Sequence, residues 1–254
     1  MIGRLAKILC ASIILIGFNP PADAGSLEPP GPPGPTFKTL GEIEARQAVK
    51  ANTEVVEAIV IDQPGSYYLV ENILAIPNYN AITINANNVT LDLNGFTVSG
   101  NNEVTDGHGI WVAGENVTIR NGTVRNADEN GITCSQHNLL LKLFNVNAIN
   151  NAKSGVVCSD MQVSGGDFTG NGKNGVGGAR VLIDNVRASN NTSSGVNLGG
   201  RSLLTRALVN DNTFWGVVCI QGISVVTQTI AVGNDSAGDN INIGGCQTHD
   251  SYAP

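Results

Sequence analysis

The run with the most chemical promise is Asp106-Gly107-His108-Gly109-Ile110. An imidazole beside a carboxylate suits general acid–base work, and flanking glycines let the backbone come close to a ligand. Cleavage of a glycosidic bond takes two acids, one to protonate the leaving group and one to activate water or attack. Asp106 alone supplies one of them, so the plainer reading of this run is a loop whose glycines serve a turn. Trp111, three residues on, offers an aromatic face on which a sugar ring could stack. Its plainer reading is packing beneath the insertion at 101–106. Five cysteines occur, of which Cys10 lies near the N-terminus and Cys134, Cys158, Cys219 and Cys246 lie further on. No Cys-x-x-Cys pair or Cys/His cluster points to a metal site.

These residues are held by a repeat. Gly, an aliphatic residue, any residue, then a small or aliphatic one recur as Gly109-Ile110-Trp111-Val112, Gly131-Ile132-Thr133-Cys134 and Gly155-Val156-Val157-Cys158. The phrase continues at Gly175, Gly195 and Gly216, so successive glycines stand 22, 24, 20, 20 and 21 residues apart. A short fixed period marks a stack of units, each burying its apolar face against its neighbours. Strand alternation turns Ile110, Ile132, Val156, Val176, Val196 and Val217 inward, with Val112, Cys134, Cys158, Gly178, Leu198 and Cys219 two residues later. Trp111, Thr133, Val157, Gly177, Asn197 and Val218 then face out.

A second column is expected at Val124, Val146, Phe168, Val186, Leu208 and Ile230. It is followed by polar turn residues Asp128, Asn150, Asn190, Asn212 and Asn234, with Asn171 one place early. Asn tolerates left-handed backbone, and stacked amides can bond one another as a ladder. Strands at 89–93, 117–119 and 181–183 lie between the columns. Three short strands and three bends per unit give an all-β parallel solenoid of about seven to eight turns. A β-sandwich is disfavoured, because its strands need no constant period. Low charge (14%), few aromatics (5%) and 31 glycines agree with an all-β chain.

The sequence divides into four parts. Residues 1–24 carry Arg4 and Lys7, an apolar run at 8–18 and small residues at 22–24, the pattern of a cleaved secretory signal. The run is short for a bilayer span, so no stable membrane insertion is expected after cleavage. Residues 25–38 are a Pro/Gly-rich linker that reads as a stiff tether. Residues 39–79 are a candidate N-terminal cap, with a short helix from Thr39 to Val49 and strands at 58–61 and 66–70. Residues 80–254 form the coil. Residues 1–24 hold Arg4, Lys7 and Asp23, a net of +1, so the remainder carries −8 against −7 for the whole chain. That balance argues against nucleic acid or an anionic membrane as partner. The expected location is outside the cytoplasm: periplasm, cell surface or medium.

Gln63-Pro64-Gly65-Ser66-Tyr67-Tyr68-Leu69, Asn88-Val89-Thr90-Leu91-Asp92-Leu93-Asn94-Gly95 and Val117-Thr118-Ile119-Arg120-Asn121-Gly122-Thr123-Val124 resemble secreted bacterial right-handed parallel β-helix proteins of the pectin-lyase-like superfamily. The resemblance runs from about Pro35 to Cys246 and implies a right-handed coil. It also implies a polysaccharide as partner, since the superfamily holds pectate lyases, polygalacturonases, alginate epimerases and non-catalytic adhesins. Gly107-His108-Gly109 matches a polygalacturonase motif in its letters. That family's Asn-Thr-Asp, paired-Asp and Arg-Ile-Lys motifs are missing. A lyase of this superfamily would use an Arg or Lys base and calcium held by acids, and in that case alone is a cofactor expected. Outward bases (Arg120, Lys142, Arg180, Arg187, Arg201, Arg206) and acids (Asp92, Asp160, Asp167, Asp184, Asp211) are present, without two or three acids around one base. Arg180 and Arg201 follow their repeat glycines by five and six residues and could stack.

Candidate substrate contacts are therefore Trp111, His108, Asp106, Arg180 and Arg201. The functional expectation is an exported, carbohydrate-associated β-helix lacking a complete catalytic set. The alternatives are a structural or adhesive surface protein, or a polysaccharide lyase or glycoside hydrolase. The cysteines at 134, 158 and 219 read as small buried apolar residues, or as disulfides 134–158 on adjacent turns and 219–246 at the C-terminal end.

Overall fold

A computed structural model describes residues 45–51, 58–100, 107–135, 140–220, 222–234, 240–242 and 245–252. The signal and linker, 1–38, and Asp106 lie outside the described residues. Among the described residues every pairing between strands is parallel, and each strand pairs with its counterpart one turn away. The chain winds as a parallel β-solenoid of about eight turns. The described strands fall into a 12-stranded first sheet, a 9-stranded second sheet and a 4-stranded third sheet.

The repeat phrase forms the second sheet. Ile110 stacks on Ile82 and Ile132, then Val156, Val176, Val196, Val217 and Ile241 follow in register. All are buried, which builds one continuous apolar column. Each leading glycine sits where a Cβ would strike the next turn. At Gly155 it would come within 2.6 Å of the Gly175 carbonyl oxygen.

Bends between sheets are made by left-handed residues in vertical columns. The bend from first to third sheet uses Asn121, Asn145, Gly165, Asn185 and Arg206. The bend out of the third sheet uses Asn126, Asn150, Gly170, Asn190 and Asp211. The bend from second to first sheet uses Asn88, Asn116, Leu140, Asp160, Arg180 and Arg201. Asn and Gly dominate because they meet the least resistance at positive φ.

The structure corrects three local expectations. Gln47–Val49 is a strand that pairs with Tyr67–Leu69, not the end of a helix. Pairing to a neighbouring strand outweighs a weak helical spacing that contains Gly41. The inward column of the third side is Val124, Ala148, Phe168, Ala188, Val209 and Ala231. Leu208 and Ile230 lie one residue earlier and are exposed (42% and 49%), because period-two alternation reverses the face at each step. The structural ladder likewise begins one residue later, at Asn151, and takes in Asn171, Asn191, Asn212, Asn234 and Asn240. Asn150 and Asn190 are instead left-handed bend residues. Asn171, Asn212 and Asn234 are thus rungs as expected, and the rungs expected at Asn150 and Asn190 lie one residue later.

In the ladder each amide Nδ2 donates to the next Oδ1 at 2.6–3.0 Å. The same oxygens accept backbone N–H groups of the preceding turn. Residues 58–79, assigned above to a cap, carry strands that already follow the coil: Ile59–Ile61 pairs in parallel with Ile82–Ile84.

Candidate functional site

His108 precedes a repeat glycine, and the residue at this place has one job in several turns. The side chain accepts the backbone N–H of its counterpart on an adjacent turn. His108 N–H donates to Asn80 Oδ1 (3.0 Å), and Asn130 N–H donates to His108 Nδ1 (3.2 Å). Ser154 N–H donates to Asn130 Oδ1, Asn174 N–H to Ser154 Oγ, and Ser194 N–H to Asn174 Oδ1. This is a second ladder, and His108 is one rung of it. Sequence reading missed it; the signal was the run of acceptor side chains, His108, Asn130, Ser154, Asn174 and Ser194, immediately before the glycines. Burial pulls the His108 pKa below its usual value, and the nearby Glu129 carboxylate opposes this. The Asn130 N–H bond takes Nδ1 as acceptor, as in neutral imidazole, while the Asn130 backbone, like Glu129, favours the protonated ring against the larger effect of burial.

Trp111 is half-buried on the outer face of the second sheet, between Thr83 and Thr133. Its ring centre lies 5.1 Å from that of His108, with the planes at 37°. Trp111 and His108 are thus brought together. Arg180 and Arg201 are not part of that cluster: three turns separate Trp111 from Gly177, about 14 Å at the spacing of adjacent strands.

Arg180 and Arg201 both occupy the left-handed bend from second to first sheet (φ 57° and 64°). Arg180 grips Asp160 on the previous turn with Nε–Oδ1 2.6 Å and Nη2–Oδ2 2.5 Å, which raises its pKa. A groove of about 220 Å³ runs beside this pair, lined by Leu140, Lys142, Met161, Gln162 and Leu182. On the other flank of the bend, Val157, Asn174, Asn197 and Ile220 surround a glycine-floored groove of about 340 Å³.

The same vertical pairing recurs through the coil. Asp92 binds Arg120 at 3.0 Å and lies 3.8 Å from Arg46; Asp167 lies 3.6 Å from Arg187; Asp184 pairs with Arg206, and Glu129 with Lys153. Arg46 apart, partners are 20 to 28 residues from each other, one turn of the coil. Asp92 also accepts the Asn94 N–H (2.9 Å), in keeping with a turn-supporting role. Among the described residues no three His, Cys, Asp or Glu side chains are grouped to hold a metal ion. The donor set does not suit calcium either, since the carboxylates at 92, 160, 167 and 184 each face an arginine.

The four cysteines of the coil form two disulfides, Cys134–Cys158 and Cys219–Cys246, with Cα atoms 5.2 and 5.3 Å apart. Cys134 is half-buried, while Cys158 and Cys219 lie in the core. Each bond joins consecutive turns.

Two solved structures superpose on most of the chain. The A-module of mannuronan C-5 epimerase AlgE4 from Azotobacter vinelandii does so with TM-score 0.53 at 15% identity, over 82% of this chain and 84% of that one. The pectate lyase Pel9A does so with TM-score 0.52 at 12% identity, over 81% of this chain and 68% of that one. The fold is a right-handed parallel β-helix. No protein-family model and no curated protein sequence matches the chain. What the β-helix shares with those two proteins at such identity is its architecture, so function has to be argued from its own surface.

Proposed function

We propose that this β-helix is an exported carbohydrate-associated protein that holds a polysaccharide without turning it over. One observation carries the reading. Among the described residues, the outward acids Asp92, Asp160, Asp167 and Asp184 are engaged with bases of the adjacent turn, whereas Trp111 stands half-exposed on a flat strand face. An aromatic ring on such a face offers a stacking platform for sugar C–H groups. Two proteins with the same architecture are, by name, an epimerase of mannuronan and a lyase of pectate, which favours a polysaccharide over other ligands. Export is supported by the N-terminal pattern and by disulfides, which persist in oxidising compartments.

The groove beside Arg180 favours a second reading, an acidic-glycan lyase. Lys142 faces the same groove as the Asp160–Arg180 pair and would be its base. Retention of the protein on immobilised acidic and neutral polysaccharides, with and without calcium, separates the two. Retention without turnover, weakened by Trp111→Ala, is the expected result. Ultraviolet-absorbing unsaturated product, abolished by Lys142→Ala, would establish the lyase instead.

A further inference from the structure

The outer face of the second sheet carries Trp111 and, three turns further along the coil, the groove floored by glycine. Gly177 lies in that floor, and packing does not require a glycine there. A Cβ added to it would meet only Asn197, at 3.7 Å, an ordinary contact. Its neighbour Gly178 differs, since a Cβ there would come within 1.8 Å of the Cys158 carbonyl oxygen. Gly177 also stands inside the strand Val176–Gly178, where glycine is a poor choice and often marks the close approach of a ligand. Its counterparts on the turns before it, Trp111, Thr133 and Val157, all bear side chains.

Two amides line this groove with bonding capacity to spare. Asn174 Oδ1 accepts the Ser194 N–H, while its Nδ2 has no partner among the described residues. The Asn197 amide has no partner there for either of its atoms. An amide both donates and accepts, and so does a sugar hydroxyl. Val157 and Ile220, both exposed, supply apolar surface for the C–H side of a ring. Among the described residues no charged side chain lines the groove. The outward residues along the face, Trp111, Thr133, Val157, Gly177, Asn197 and Val218, are uncharged as well. Charges stand on the bends to either side, where Lys153 is paired with Glu129, Arg180 is paired with Asp160, and Lys173 is exposed. A polyuronate laid along this face would set a carboxylate on every sugar against strands that hold no cation, and the net charge of −7 adds repulsion.

We propose that the Gly177 groove is a sugar subsite for a neutral polysaccharide, which lies along the coil and stacks a second ring on Trp111 about 14 Å away. Asn174 and Asn197 bind hydroxyls, and the missing side chain at 177 admits the ring. This rests on the carbohydrate reading above and narrows it to an uncharged ligand.

The test is retention of the protein on immobilised β-glucan and galactomannan, and on polygalacturonate and alginate. Retention on a neutral polysaccharide is expected, and it should survive salt at about 0.5 M, which screens charge pairing. Asn197→Ala should weaken it about three- to tenfold, the scale of one or two lost hydrogen bonds. Gly177→Thr should weaken it at least as much by filling the floor. Its urea midpoint should equal or exceed that of the wild type, because Thr suits a strand better than Gly. Should Gly177→Thr fold poorly, Asn197→Ala decides alone. Retention confined to the polyuronates and lost in salt overturns the neutral ligand, while the carbohydrate reading stands. Neutral retention that ignores both substitutions overturns the subsite. Retention on none of the four overturns the proposal together with the reading it rests on.

Discussion

Asn191 and Asn190 are adjacent in sequence and should differ by several kcal/mol when mutated. Asn191 is fully buried. Its Nδ2 donates to Asn212 Oδ1 (2.8 Å) and to the Phe168 carbonyl (2.9 Å). Its Oδ1 accepts the backbone N–H (3.0 Å) and the Nδ2 (3.0 Å) of Asn171. Asn191→Ala removes all four bonds. Asn171 Nδ2 keeps the Ala148 carbonyl, and Asn212 Oδ1 keeps the backbone N–H of residue 191. The Asn171 N–H and the Phe168 carbonyl lose these partners in a dry interior, at about 1–3 kcal/mol each. The expected loss is therefore about 2–5 kcal/mol, read from the shift in urea midpoint. Asn190 is an exposed bend residue at φ 54°. Asn190→Gly preserves that conformation and should change stability by no more than about 0.5 kcal/mol. Equal effects at the two sites, or a loss under about 1 kcal/mol for Asn191→Ala, would refute the ladder register.

Three further outcomes follow from the same geometry. Reduction of Cys134–Cys158, which closes a separation of 24 residues, should cost about 3 kcal/mol, visible as a lower melting temperature with reductant. His108 has a folded pKa below its unfolded 6.5, so the stability it contributes is present above 6.5 and fades as pH falls through that value toward the folded pKa. Urea midpoints measured against pH should show this acid-side loss, and His108→Asn should flatten it. Arg201 holds left-handed backbone (φ 64°) that glycine adopts without strain, so Arg201→Gly should raise stability by about 1 kcal/mol in thermal melts. If it also leaves glycan retention intact, Arg201 is no part of a binding face.

The parallel coil was legible in sequence because the Gly-aliphatic phrase fixes one column absolutely. Each repeat glycine meets the turn above at under 3.0 Å from an added Cβ, so few other residues could stand there. The third side was less legible for the opposite reason. Its inward residues include Ala148, Ala188 and Ala231, small and unremarkable in sequence, while larger Leu208 and Ile230 beside them face solvent. A volume-guided reading therefore selects the wrong parity. Phe168 succeeds at 0% exposure because it stacks between Ala148 and Ala188, which leave it room. Asn pairs mislead in the same way: in Asn150-Asn151 and Asn190-Asn191 one member bends the chain and the other builds the ladder, and only backbone handedness tells them apart.

The charged face shows why the candidate site was harder to read than the fold. In a coil of this pitch, residues one repeat apart lie about 4.8 Å from each other, so an outward acid has its first neighbours directly above and below. Offsets of 28, 20, 20 and 22 residues join Asp92 to Arg120, Asp160 to Arg180, Asp167 to Arg187 and Asp184 to Arg206. Seen singly, each of those residues resembles loose catalytic equipment; taken at the repeat distance they are pairs. Asp92 is buried; the three more exposed pairs contribute at most about 1 kcal/mol each, so their larger effect is on register, since a turn slipped by one residue would break the match on its outer face. Chemistry on such a surface requires groups from different columns to converge on one point. Among the described residues, His108 with Trp111 is one such convergence, a positioned aromatic surface in place of an acid and a base.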